Sequence, residues 1–67
     1  MHTVTKTFRA KLHARVPPQH EDFQEGEKIV FSRLEHGHTV FVREGDVRGV
    51  APYIVAGSTF KASTKQS

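Results

Sequence analysis

Sixty-seven residues with a formal net charge of +3 and no cysteine make one small domain. A chain of this length hides only about 60 % of the surface its unfolded form exposes, so a buried enzyme pocket is not expected; disulfides, thiolate chemistry and cysteine-ligated zinc are excluded outright. No apolar run approaches the roughly 20 residues needed to cross a bilayer, and residues 1–7 lack the apolar stretch of a secretion signal. The expectation is a soluble, cytoplasmic chain with no membrane contact and no cofactor.

Taken in chain order, residues 3–16 alternate almost without fault. Val4, Phe8, Ala10, Leu12, Ala14 and Val16 hold one parity; Thr3, Thr5, Thr7, Arg9, Lys11, His13 and Arg15 hold the other. Successive side chains of a strand point to opposite faces, so this is a half-buried strand carrying a cationic row. At full extension it would span about 46 Å, too long for so small a domain, so it bends or ends early. Pro17 and Pro18 cannot donate ladder hydrogen bonds, and Gln19 to Asp22 show no apolar period, which predicts a loop anchored by Phe23. Glu25-Gly26-Glu27 marks a tight turn. A second strand follows over Lys28 to Glu35, then a two-residue hairpin turn at His36-Gly37 and a third strand over His38 to Glu44. A turn at Glu44-Gly45-Asp46 leads to a fourth strand, Val47 to Ala51. Pro52 stops it and predicts one helical turn near residues 52–55. Gly57 to Lys61 is read as a fifth strand, and Ala62 to Ser67 as a mobile polar tail.

No period of 3.6 residues persists for a helix length, so the fold class is all-β: five short strands closed into a small barrel over residues 1–61, with 62–67 as tail. The five phenylalanines fall where core residues are wanted, leaving Tyr53 as the aromatic residue available to solvent. Charge is uneven. Residues 1–16 hold four cations and no acid, whereas all seven acids lie between Glu21 and Asp46.

The order of parts resembles a Src-homology-3 (SH3) domain. Four features carry the likeness: the strand Phe8-Arg9-Ala10-Lys11-Leu12-His13; an acid-bearing loop ending in Phe23-Gln24-Glu25-Gly26-Glu27-Lys28-Ile29; a central hairpin; and Gly49-Val50-Ala51-Pro52 before Tyr53-Ile54-Val55. The resemblance implies a barrel that binds a protein or peptide. Polyproline ligands of such domains stack on a flat aromatic groove, but the groove tryptophan falls at Thr39 here, and Val55 stands where a tyrosine is expected. What the resemblance leaves as partner-binding candidates is Glu21, Asp22, Thr39, Pro52 and Tyr53. This implies a protein-interaction module working through an atypical surface.

The alternative is a small basic barrel that binds nucleic acid, possible through Arg9, Lys11, Arg15, Arg33, Arg43 and Arg48, which could neutralise phosphates. Arg33 and Arg43 sit on facing strands of one hairpin. The stretch from Gly26 to Phe31 before a hairpin is also similar to swapped-hairpin transition-state-regulator dimers, but the span from Val16-Pro17 to Gly26 is too short for that family's helix. Self-association through edge strands is a third possibility. His36 and His38, with His13 or His20, do not complete a recognisable zinc spacing, so no metal is expected. No motif brings a nucleophile, base and oxyanion site together, so the chain is not expected to be an enzyme.

Overall fold

The computed structural model describes residues 1–13 and 16–66. Its elements are β1 (His2–Val4), β2 (Phe8–Leu12), β3 (His20–Phe23), β4 (Lys28–Glu35), β5 (His38–Arg43), β6 (Tyr53–Ala56), α1 (Gly57–Ser63) and β7 (Thr64–Gln66). The strands form one antiparallel sheet in the order β3-β2-β6-β5-β4-β1-β7, curled into a half-barrel. All-β is therefore right and five strands is wrong: there are seven among the described residues.

The alternating N-terminal segment keeps its parity as far as Leu12 but breaks into two strands; Val16, expected on the buried side, lies past the end of β2 and is 96 % exposed, and Ala14 lies outside the described residues. Val4, Phe8, Ala10 and Leu12 are all buried, while the amides of Thr5 and Lys6 leave the ladder and donate to the Ser63 carbonyl at 2.7 and 3.3 Å. Lys6, the one charged residue on the apolar parity, sits in this break. As a result β1 pairs with β4 and β7, whereas β2 pairs with β3 and β6.

Four expectations are corrected after this. The polar run His20 to Asp22 is no loop but an edge strand, with Arg9 opposite Asp22 and Ala10 opposite Glu21; an edge that faces water needs no apolar period. The strand expected over Val47 to Ala51 is absent. The Asp46 carboxylate accepts hydrogen bonds from the amides of Val50 at 3.1 Å and Ala51 at 2.9 Å, a local side-chain bond that competes with a ladder. Val47 and Val50 are exposed in consequence. The helical turn expected at 52–55 is strand β6, Pro52 standing just before it where no ladder donor is needed. Finally, the strand expected over Gly57 to Lys61 is helix α1, and the expected tail forms the end of that helix and β7, in which Lys65 pairs with Thr3.

Glycine is required at the entry to α1. The Gly57 amide donates to the Gly37 carbonyl at 3.2 Å, and a Cβ at residue 57 would lie 2.9 Å from that same oxygen. Gly57→Ala must therefore push the helix off the hairpin turn. The expected cost is about 1–3 kcal/mol, as for overpacked sites generally, read as a lower urea midpoint at unchanged slope.

The core joins Val4, Phe8, Ala10, Leu12, Phe23, Ile29, Phe41, Tyr53, Val55 and Phe60. Phe23 lies at its centre, stacked on Phe8 at 5.3 Å and edge-on to Phe41 at 5.1 Å and Tyr53 at 4.9 Å. Tyr53 is thus a core residue and not the exposed aromatic. The exposed one is Phe31, at 42 %. The β4–β5 register explains it: Ile29 faces Arg43 and Phe31 faces Phe41, but beyond a bulge Arg33 faces Val40 and Leu34 faces Thr39. One extra residue sends Leu34 to the side of Phe31 and turns Arg33 to the opposite side.

Candidate functional site: an apolar groove beside a bare strand edge

The residues expected to bind a partner do not form one surface. Glu21 and Tyr53 belong to an internal network: the Tyr53 hydroxyl donates to Glu21 Oε2 at 2.8 Å, and Arg43 donates to Glu21 Oε1 and Glu27 Oε2, each at 2.9 Å. The Arg43 guanidinium lies 4.3 Å above the Phe23 ring. The Tyr53 hydroxyl, then Arg43, hold the Glu21 carboxyl below its usual range; burial, then the bond to Glu21, push the Tyr53 phenol up. Thr39 is buried at 3 %. Asp22 is held by Arg9 at 3.0 Å, and Pro52, half-buried, accepts a backbone hydrogen bond from His13.

The expected basic face is divided as well. The strand registers place His20, Lys11, Ile54, Val40 and Arg33 in one cross-strand row on the outer face. Arg9 shares this face but pairs with Asp22. Arg33 bonds Glu35 at 3.1 Å, and His13 Nε2 reaches the same carboxylate oxygen at 3.4 Å. Because β6 and β5 lie between β2 and β4, the contact from His13 to Glu35 passes over both, and Val40 on that face is fully buried. Lys11 remains exposed and outside every ion pair among the described residues. Arg43 points inward and Arg48 stands on the exposed 44–49 turn. Arg15 lies outside the described residues.

A third surface was not visible in the sequence. A groove of about 720 Å³ runs along the inner face, lined by His2, Phe31, Leu34, Thr39, Phe60 and Lys61 among others, with no carboxylate among its lining residues. Leu34 is 70 % exposed. The His2 ring meets Phe60 edge-on at 4.9 Å, and its Nδ1 is buried without a hydrogen-bond partner among the described residues. Burial, then the N-terminal ammonium, lower the His2 pKa.

Beside the groove lies a bare edge. Strand β1 pairs with β4 at Lys28 and Ile29, so from Phe31 to Glu35 β4 has β5 on one side and no strand on the other among the described residues. Both ends of the sheet are edges too, but β3 exposes His20, Glu21 and Asp22, and β7 is three residues long. Charge and shortness protect those two; the β4 edge is the apolar one.

The histidines form no metal-ligating cluster among the described residues; His38 Nδ1 contacts the His36 carbonyl instead, at 3.2 Å. No helix among the described residues is long and apolar enough to cross a membrane. These features define a curled antiparallel half-barrel with one short helix, a bare apolar strand edge and a groove beside it. No protein-family profile, curated protein or solved structure matches the chain.

The two depressed pKa values set a pH dependence. His2 and Glu21 both titrate lower in the folded than in the unfolded chain. Each therefore contributes stability above its unfolded pKa that is lost as pH falls through its folded one. The midpoint of thermal unfolding should decline on acidification from pH 7, first as His2 is forced to charge and again in the carboxylate range. His2→Leu should flatten the first decline and leave the second.

Proposed function

We propose that the protein is a non-catalytic, SH3-like binding module that engages another polypeptide through the β4 edge and its groove. The observation that carries this reading is the coincidence of unpaired backbone with exposed Phe31 and Leu34. Backbone groups on a strand edge supply hydrogen bonds to an added strand, and the adjoining apolar side chains supply the contact area. The SH3-like part of the reading draws support from the order of elements: a hairpin β2–β3, a central hairpin β4–β5, then strand β6, a helix and a closing strand β7 that returns to β1. The partner surface differs from the one that resemblance implies, because Thr39 is buried and Tyr53 and Glu21 are bonded to each other. Photo-cross-linking tests it. With benzoylphenylalanine at residue 34, an adduct to polypeptide is expected in cells; at residue 47, on the exposed turn, none is. No adduct from residue 34 overturns the reading.

A second reading is nucleic-acid binding by Arg9, Lys11 and Arg33 on the outer face, favoured by the unpaired Lys11. It weakens where Asp22 and Glu35 neutralise two of the three. Were it correct, Lys11→Glu would weaken binding to a labelled duplex or single strand and reduce the dependence on salt, since each phosphate contact contributes about one unit to the log–log slope.

A further inference from the structure

The partner strand can be specified further, on the basis of the reading just given. We infer that the β4 edge pairs with the β4 edge of a second copy of this chain, antiparallel, about a two-fold axis at Leu34.

Three observations lead there. The first is backbone direction. His36 and Gly37 both have positive φ, 50° and 81°, which is the two-residue turn that closes a regular hairpin. In such a hairpin the flanking residues, Glu35 and His38, exchange hydrogen bonds, so alternation turns the N–H and C=O of Leu34 away from β5 and toward the bare edge. Two copies of Leu34 can then bond each other twice. The second is charge. Arg33-Leu34-Glu35 reads cation, aliphatic, anion, and its antiparallel mate reads the reverse. Centred on Leu34, each Arg33 faces a Glu35 of the other copy on the outer face, while Leu34 meets Leu34 on the groove side. Opposite charges facing across strands stabilise a pair, and like charges oppose it. The third is space. Beyond this triplet each Phe31 comes beside the other copy's hairpin turn, where Gly37 has no side chain and a Cβ would meet nothing within 4 Å. The last β1 residue paired to β4 is His2, opposite Ile29, so β1 does not overlap the triplet.

Isologous pairing of this kind closes on itself as a dimer and does not propagate. It also covers the most exposed large apolar side chain on any described strand, Leu34. The bulge just before Arg33 ends the regular pairing, limiting it to a short seam.

Sedimentation equilibrium of the full chain over a concentration series tests the inference. The expected result is a species of twice the 7.5 kDa chain mass, with Leu34→Lys weakening association by about tenfold or more, as loss of a buried leucine contact implies. Leu34 is exposed in the single chain, so at concentrations where both are monomeric the variant should melt like the parent. The decisive arm uses charge. Arg33→Glu alone and Glu35→Arg alone each set like charges against each other in a homodimer and should sediment as monomers. An equimolar mixture of the two restores both opposite-charge contacts and should sediment as a heterodimer, a result that no contact within one chain can produce. A parent chain that stays monomeric throughout, a dimer indifferent to Leu34→Lys, or a mixture no more associated than its components overturns the inference. If residue 34 then cross-links to a different polypeptide, the binding-module reading stands without the self-pairing. If it cross-links to nothing, both fall.

Discussion

Phe23→Ala should leave little folded protein. Phe23 is fully buried and makes three ring contacts, with Phe8, Phe41 and Tyr53, besides carrying the Arg43 guanidinium. Truncating a core phenylalanine costs about 3–5 kcal/mol, and each aromatic pair adds about 0.5–1.5 kcal/mol beyond area. At about 0.05–0.15 kcal/mol per residue, a 67-residue domain holds only about 3–10 kcal/mol in all. The loss therefore rivals the total. Circular dichroism through a urea titration checks it: the variant should lose its cooperative transition or shift it to very low urea. Val47→Ala, at a residue 92 % exposed, should stay within about 0.5 kcal/mol of the parent.

Arg43→Met should be the most destabilising change at any arginine. Its guanidinium holds two carboxylates from two different segments, Glu21 on β3 and Glu27 on the turn before β4, and covers Phe23. Methionine keeps much of the stem's packing but leaves Glu21 and Glu27 without their shared cation. Hydrogen bonds to charged groups contribute about 1.5–3 kcal/mol each when buried; with the side chain 37 % exposed, solvent screens part of this, and a loss of about 2 kcal/mol is expected. Arg33→Met, at a surface pair with Glu35, should cost no more than about 1 kcal/mol. Parallel denaturation of the two variants measures the contrast. It separates two residues that the sequence alone places on one face.

The reason for that separation shows what the sequence can carry. Parity is visible in it: Val4, Phe8, Ala10 and Leu12 alternate as read and are buried as read. Glycine chemistry is visible too, since His36-Gly37 and Gly26 make the turns expected of them, both glycines at positive φ. A bulge is not. Without it Arg33 would share the face of Ile29, Phe31 and Arg43; with it Arg33 crosses to the outer face and Leu34 joins Phe31. The apolar run Ile29, Val30, Phe31 and Leu34 looks like core in sequence, yet only Ile29 is buried. The groove depends on two facts of tertiary pairing, that bulge and the point at which β1 leaves β4, and neither has a local signature.

Other differences have the same origin. Gly57-Ser58-Thr59 are weak helix formers, and helix α1 follows from the burial of Phe60 and Ser63 against the sheet more than from propensity. The polar residues of β3 pair because Phe23 anchors one end of that strand in the core. Asp46 captures two amides that a strand would have used. The SH3 resemblance makes Glu21 a ligand contact; its partner, Tyr53, lies 32 positions away, beyond any local pattern.

Residue-resolved amide hydrogen exchange at Leu34 tests the central claim most directly. The protein is measured dilute, then concentrated, and then with any polypeptide that residue 34 captures. The β4 edge as an interaction surface predicts that the Leu34 amide, bare in the dilute protein, gains protection on association while the amides of Lys11 and Val47 do not change. Protection gained along β2 and β3 instead, or unchanged exchange at Leu34 in every state, would contradict it.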